Sequence, residues 1–211
     1  MNLKLFVVSL LTVTLSQGST TLEKVIERSQ DKVVKIGIIT DKGRGVCSGA
    51  FISSRGIVLT CAHCFAHGGI KKVFIKTEDE QVYPAALLAY DGVRDLALVV
   101  PTSVGPFPYF TFGNEPVRGQ QVISLGSPLG IQHTATVGWV TNILKQAQMY
   151  ILHSAFINPG NSGGPLVDMS GRLIGVNEAS FGYGFMQVAH GLYIAIDIIT
   201  VKEFLRKENY R

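Results

Sequence analysis

Asn158-Pro159-Gly160-Asn161-Ser162-Gly163-Gly164-Pro165-Leu166-Val167 is the stretch that decides the fold. It holds one serine between glycines in a tight turn, and an apolar, strand-like run follows at once. A helix after that serine would make the turn the strand-to-helix elbow of an α/β sheet. Gly163-Gly164-Pro165 and the turn at 168–171 oppose a helix and predict a strand instead. The flanking glycines also let backbone N–H groups approach a ligand closely. A serine hydroxyl placed there can attack a carbonyl while neighbouring amides receive the developing oxyanion. A Gly/Pro-rich hairpin turn would look the same, so the meaning of this stretch depends on the rest of the chain.

Working outward, the pattern is one of short strands. Residues 33–40, 49–53, 56–60, 72–76, 81–89 and 96–100 are β-branched runs separated mostly by Gly, Asp, Ser or Pro. A second series covers 121–125, 134–141, 150–154, 165–168, 172–177 and 192–196. Between them, Pro101, Pro106, Pro108 and Pro116 mark a connection. Two blocks of six strands predict an all-β protein of two packed six-stranded antiparallel β-barrels. The barrels are expected at about 32–100 and about 117–196. No helix-length segment separates the strands, which excludes a doubly wound sheet. Helical spacing predicts short terminal helices at 21–30 and about 198–208.

The chain of 211 residues is long enough to bury a real core, and its charged fraction of 16% is that of a globular protein. Its net charge of +4 comes from scattered lysines and arginines, so nucleic-acid binding is not expected. Lys4, the apolar run 5–15 and the small residues Ser16 and Gly18 read as an export signal over 1–18. The run is too short to span a bilayer. The remainder, 19–211, is read as one secreted or periplasmic domain without stable membrane insertion.

Two upstream segments give the serine chemical company. His63 lies in Thr60-Cys61-Ala62-His63-Cys64, at the end of an apolar strand, and Asp95 immediately precedes Leu96-Ala97-Leu98-Val99. Serine hydrolysis needs these three side-chain types: a nucleophile, an imidazole to take its proton, and a carboxylate to hold the imidazole's tautomer.

His63, Asp95 and Ser162, in that order, resemble the chymotrypsin-like (trypsin-fold) serine peptidases. Residues 45–52, 59–63, 95–99, 126–130, 157–167, 172–177 and 191–196 look most like the HtrA (Deg) branch. The resemblance spans about 32–196 and implies a double barrel with endopeptidase activity in a cleft between lobes. It implies His63 as general base, Asp95 as its orienting acid and Ser162 as nucleophile. The N–H groups of Gly160 and Ser162 would form the oxyanion hole. Asn161 stands where many digestive relatives carry an acid that pairs with a newly cut N-terminus, so no such activation is expected. Phe156 stands where trypsin-like relatives carry an aspartate, and Ile157 follows it, which implies an apolar preference on the acyl side of the scissile bond. Protein or peptide substrates are expected, without a cofactor. Some relatives form homotrimers through this domain, so a trimer or a monomer is expected.

Of three cysteines, Cys47 and Cys64 fall where animal relatives bridge two strands beside the histidine, a bridge that HtrA relatives usually lack. Such a disulfide would stabilise the fold by about 3 kcal/mol. Cys47–Cys61 is the alternative pairing. Cys61-x-x-Cys64 with His63 and His67 also has the makings of a metal site, but one that would take His63 from catalysis; no metal is expected. A serine esterase with Asp168 and His190 as partners, and a silent binding protein on a peptidase scaffold, are the competing readings. His133 and His153, like His67 and His190, are expected to be structural, and Glu78-Asp79-Glu80 a solvated turn.

Overall fold

In the computed structural model, which describes residues 21–66, 68–103, 105–145, 148–178 and 191–210, twelve strands form two closed barrels. The first comprises β1 (Val33–Thr40), β2 (Arg44–Phe51), β3 (Val58–Thr60), β4 (Ile70–Lys76), β5 (Val82–Asp91) and β6 (Leu96–Pro101). Its strand order is β1-β2-β3-β6-β5-β4, closed by the antiparallel β1–β4 pair. The second comprises β7 (Gln121–Gly126), β8 (Thr134–Lys145), β9 (Met149–His153), β10 (Pro165–Asp168), β11 (Leu173–Glu178) and β12 (Tyr193–Asp197). Its order is β10-β11-β12-β9-β8-β7, closed by β10–β7. Helices α1 (Thr21–Gln30) and α2 (Ile198–Lys207) lie at the two ends. No helix among the described residues is long and apolar enough to cross a membrane. The export signal read at 1–18 falls outside the described residues.

The period-2 alternation of strands explains how the barrels pack on each other. In β6, Ala97 and Val99 join the core inside the first barrel, while Leu96 and Leu98 join a cluster shared with the second. Across the divide, Leu166 of β10 and Ile174 of β11 fill the second barrel. Val167 and Leu173 on the same strands enter the shared cluster instead. Strands buried on both faces read as continuous apolar runs, which is the character of Leu96-Ala97-Leu98-Val99. Each fully buried Leu or Ile stabilises this arrangement by about 2 kcal/mol. The shared cluster also takes Val201, Phe204 and Leu205 from α2, so the helix seals the seam.

The largest departure from the predicted strand bounds is the start of β2. β2 begins at Arg44 rather than near 49, because Arg44 to Ala50 pair residue by residue with Ile39 back to Val33. Gly45 reads as a turn residue, yet the ladder to β1 recruits it opposite Ile38. This extension carries Cys47 and Ser48 into the sheet, beside the site.

Candidate functional site

The site lies where the ends of β2, β3 and β6 meet the turn before β10. His63 sits in a single 3-10 turn, Ala62–Phe65, directly after β3. Asp95 precedes β6 and adopts a left-handed backbone (φ 53°), which a short polar side chain tolerates better than most. Its carbonyl accepts the Ala62 N–H at 3.1 Å. Its carboxylate is shared between two donors on one residue: Oδ1 accepts the His63 backbone N–H at 2.7 Å, and Oδ2 lies 2.6 Å from His63 Nδ1. The backbone contact fixes where the histidine starts, and the side-chain contact fixes how its ring turns. Upstream, Asp91 receives N–H groups from Val93 and Arg94, the Arg94 guanidinium and the Lys207 ammonium of α2. Burial opposes its ionisation, but these hydrogen bonds outweigh burial and lower its pKa to about 2.

Ser162 is buried, and its turn is stitched to both barrels. Its carbonyl accepts the Ser48 N–H of β2 at 2.9 Å. Gly163 N–H donates to the Asn177 carbonyl of β11, and Asn177 N–H donates to the Gly164 carbonyl, each at 2.8 Å. The same Asn177 carbonyl accepts Cys61 Sγ at 3.4 Å. A Cβ on Gly163 would lie 2.0 Å from Thr60 Oγ1 and 2.9 Å from Cys61 N. With its φ of 84° as well, only glycine fits there, and the serine turn is thereby pressed against the segment that leads into His63. Asn161 is buried, and its N–H closes the turn onto the Asn158 carbonyl at 2.9 Å.

Gly160 has a φ of 103° and abuts the loop 127–129. Leu129 N–H holds the Pro159 carbonyl at 2.8 Å. The Pro159–Gly160 peptide is trans, so Gly160 N–H points away from Leu129. Among the described residues no acceptor takes that N–H. The Gly160 carbonyl is held in turn by Ser48 Oγ at 2.7 Å, and Ser48 Oγ accepts the Ser127 N–H at 2.8 Å. Ser48 thus joins β2, the 127–129 loop and the serine turn through one side chain. The sequence alone does not single it out, since its partners lie 79 and 112 residues away.

Electrostatics divide the site. Burial disfavours the imidazolium of His63, but the hydrogen bond and charge of Asp95, with a further push from Glu178, raise its pKa above the ordinary value. The Cys61 thiol is wholly buried, and burial, reinforced by the charges of Asp95 and Glu178, pushes its pKa well up. Glu178 is held up to about 7 by burial and the charge of Asp95, with His63 pulling the other way. Glu178, like Ser48, is a residue beside the site that sequence reading passes over. Its signal in the sequence is an acid that follows Asn177 at the end of the apolar run Leu173-Ile174-Gly175-Val176.

The cysteines pair as Cys47–Cys64, with a Cα–Cα distance of 6.4 Å, and Cys61 is left as a buried thiol. The bridge removes Cys64 from any ligand set, and His67 falls outside the described residues. Cys61, His63 and Asp95 do converge. Their polar atoms are already engaged, however, since Nδ1 faces Asp95 and Sγ donates to Asn177. A raised thiol pKa opposes the thiolate that a metal would need.

Asp168 serves its own turn, accepting from Ser170 N–H and Arg172, and a strand follows Ser162. That removes the elbow on which the esterase reading rests; His190 lies outside the described residues. His153 is a core residue whose pKa burial lowers to about 4, while His133 sits in the turn before β8 with a φ of 61°. Phe156 is 52% exposed and meets Tyr193 edge to face at 5.3 Å, with Ile157 buried beside it.

The family described as a trypsin-like peptidase domain matches residues 47–176. The chain is 33% identical over 175 residues to the serine protease HTRA1 of Xenopus tropicalis, spanning 78% of this chain and 36% of that protein. It is 38% identical over 140 residues to the probable periplasmic serine endoprotease DegP-like of Chlamydia pneumoniae, spanning 63% of this chain and 28% of that one. Among solved structures, the HtrA-type protease AlgW with tripeptide matches with a TM-score of 0.76 at 27% identity, covering 87% of this chain and 62% of that one. The serine endoprotease from Yersinia pestis shares the fold, with a TM-score of 0.80 at 24% identity over 91% of this chain and 68% of that one.

Proposed function

Because the chain belongs to the trypsin-like peptidases, on their HtrA branch, we propose that it is a serine endopeptidase working through His63, Asp95 and Ser162. The observation that carries the reading is the Asp95 carboxylate. It grips both the backbone N–H and Nδ1 of His63, which leaves Nε2 as the ring nitrogen available to a serine.

In this mechanism the Ser162 Oγ–H proton passes to His63 Nε2 as Oγ bonds to the scissile carbonyl carbon. Asp95 stabilises the imidazolium that forms and keeps its own charge. The carbonyl electrons move onto the oxygen, which the N–H groups of Gly160 and Ser162 receive. Collapse of this intermediate expels the amine, which takes its proton from His63 and leaves an acyl-enzyme. Water, deprotonated by the same imidazole, then releases the acid and restores the serine. Each N–H aimed at the oxyanion contributes about 3 kcal/mol in such sites.

Phe156 and Ile157 line the acyl-side pocket in this reading, with Tyr193 behind the Phe156 ring. None of the three carries a charge to match lysine or arginine, so an apolar residue is preferred there. Asn161 offers no charge to a cut N-terminus, so order at Gly160 depends on the 127–129 loop instead. The substrates are proteins or peptides, met after export, by a monomer or a trimer. No bound cofactor enters any of these steps.

The test is labelling with a fluorophosphonate, together with turnover of an apolar peptide library. Ser162→Ala is expected to abolish labelling and to lower kcat/KM by about 10⁴- to 10⁶-fold. Undiminished labelling of the variant would overturn the assignment.

A further inference from the structure

Among the described residues, Asp197 caps α2 through the Ile199 N–H and Asp95 holds His63. Asp91 and Asp168 brace turns, and each is met by backbone N–H groups and an arginine; Lys207 adds to Asp91. Glu178 has neither. Its Oε2 is buried with no hydrogen-bond partner among the described residues. The charges that act on it belong to Asp95 and His63, and no lysine or arginine is among them. Glu178 acts in turn on His63, on Cys61 beside it and on Tyr150 of β9.

Position explains the coupling. Glu178 pairs with Ile194 at the end of β11. The residue before it, Asn177, contacts the serine turn through Gly163 and Gly164, and the histidine segment through Cys61. The acid one step further along this strand keeps its buried Oε2 unpartnered among the described residues. It does have a direct electrostatic line to the His63–Asp95 pair.

We propose that Glu178 is a positioning residue of the peptidase site, whose charge sets the pH range in which His63 can act as a base. The proposal rests on the reading of His63 as the general base. With Glu178 neutral, the imidazole faces one carboxylate and gives up its proton at a lower pH. With Glu178 ionised, a second negative charge stabilises the imidazolium, and the free base appears only at higher pH. The two groups titrate as a coupled pair, each proton discouraging the other. Burial and the charge of Asp95 raise Glu178 to about 7, so its own charge changes in neutral solution.

The experiment compares wild type with Glu178→Gln. The His63 ring is titrated by NMR, and kcat/KM is followed against pH on one peptide. Removing the charge is expected to lower the His63 titration point, and the acid limb with it, by about one pH unit. Glu178→Thr, also uncharged, should shift both in the same direction, while Glu178→Asp should retain much of the wild-type position. Wild-type labelling by the fluorophosphonate at pH 8.5 certifies that a variant is folded. An unchanged His63 titration point in a folded, uncharged variant overturns the proposal. The NMR titration needs no turnover, so it separates this failure from failure of the peptidase reading, which would appear as absent labelling of wild type.

Discussion

The first barrel holds its half of the site by contacts within itself. Asp95 reaches Ala62 and His63 through both backbone and side chain, and the Cys47–Cys64 disulfide ties the histidine turn to β2. The second barrel holds Ser162 and Gly160 by reaching out. Its turn hangs on Ser48 from the other barrel, on Leu129 from a loop, and on Asn177 from β11. No covalent link secures it. In the proposed mechanism the base is therefore fixed within its own barrel, whereas the oxyanion side depends on the docking of the barrels and on the shape of the 127–129 loop. On that proposal, competence is set on the serine side, and the placing of the base on the histidine side.

Three changes would break or sharpen that contrast. The largest effect belongs to Asp95→Asn. The amide keeps the shape but offers an N–H where Nδ1 needs an acceptor, so the ring takes the wrong tautomer. A fall in kcat of about 10⁴ is expected, with circular dichroism unchanged. Removing the disulfide with Cys47→Ala and Cys64→Ala should lower unfolding free energy by about 3 kcal/mol in denaturant titrations. Catalysis at 25 °C should persist, because Asp95 still holds the ring. A loss of turnover in folded double mutant would show the histidine side to be less self-sufficient than its hydrogen bonds imply. Ser48→Ala probes the other half and should be the mildest. It frees the Gly160 carbonyl and strands the Ser127 N–H. A drop in kcat of about ten- to a hundredfold is expected, from a partly disordered oxyanion site, with KM little changed. A matched loss of stability with wild-type kcat would reduce Ser48 to a packing residue.

Much of the fold was legible because both barrels obey local rules. The helix at Thr21–Gln30 follows from its apolar spacing, and β6 announces itself as a continuous apolar run. The start of β2 was not legible, since Arg44-Gly45-Val46 has turn composition and only its ladder to β1 makes it a strand. At the site, His63, Asp95 and Ser162 stand out because each sits in a strongly patterned segment. The Cys47–Cys64 pairing was foreseen by resemblance, with Cys47–Cys61 left open. Ser48 and Glu178 stayed hidden for one physical reason. What marks them is which groups meet around the barrel seam, and a single serine inside a strand or glutamate at a strand end carries no periodic trace of that.

Asp91 has a mechanical consequence. One carboxylate receives Lys207 from the last turn of α2 and also braces the turn that presents Asp95 four residues later. A load applied to the chain beyond Lys207 would travel through that carboxylate into the mount of the orienting acid. The final helix is thus a tether as well as a seal, and slack or tension there bears on the side chain that holds the His63 ring.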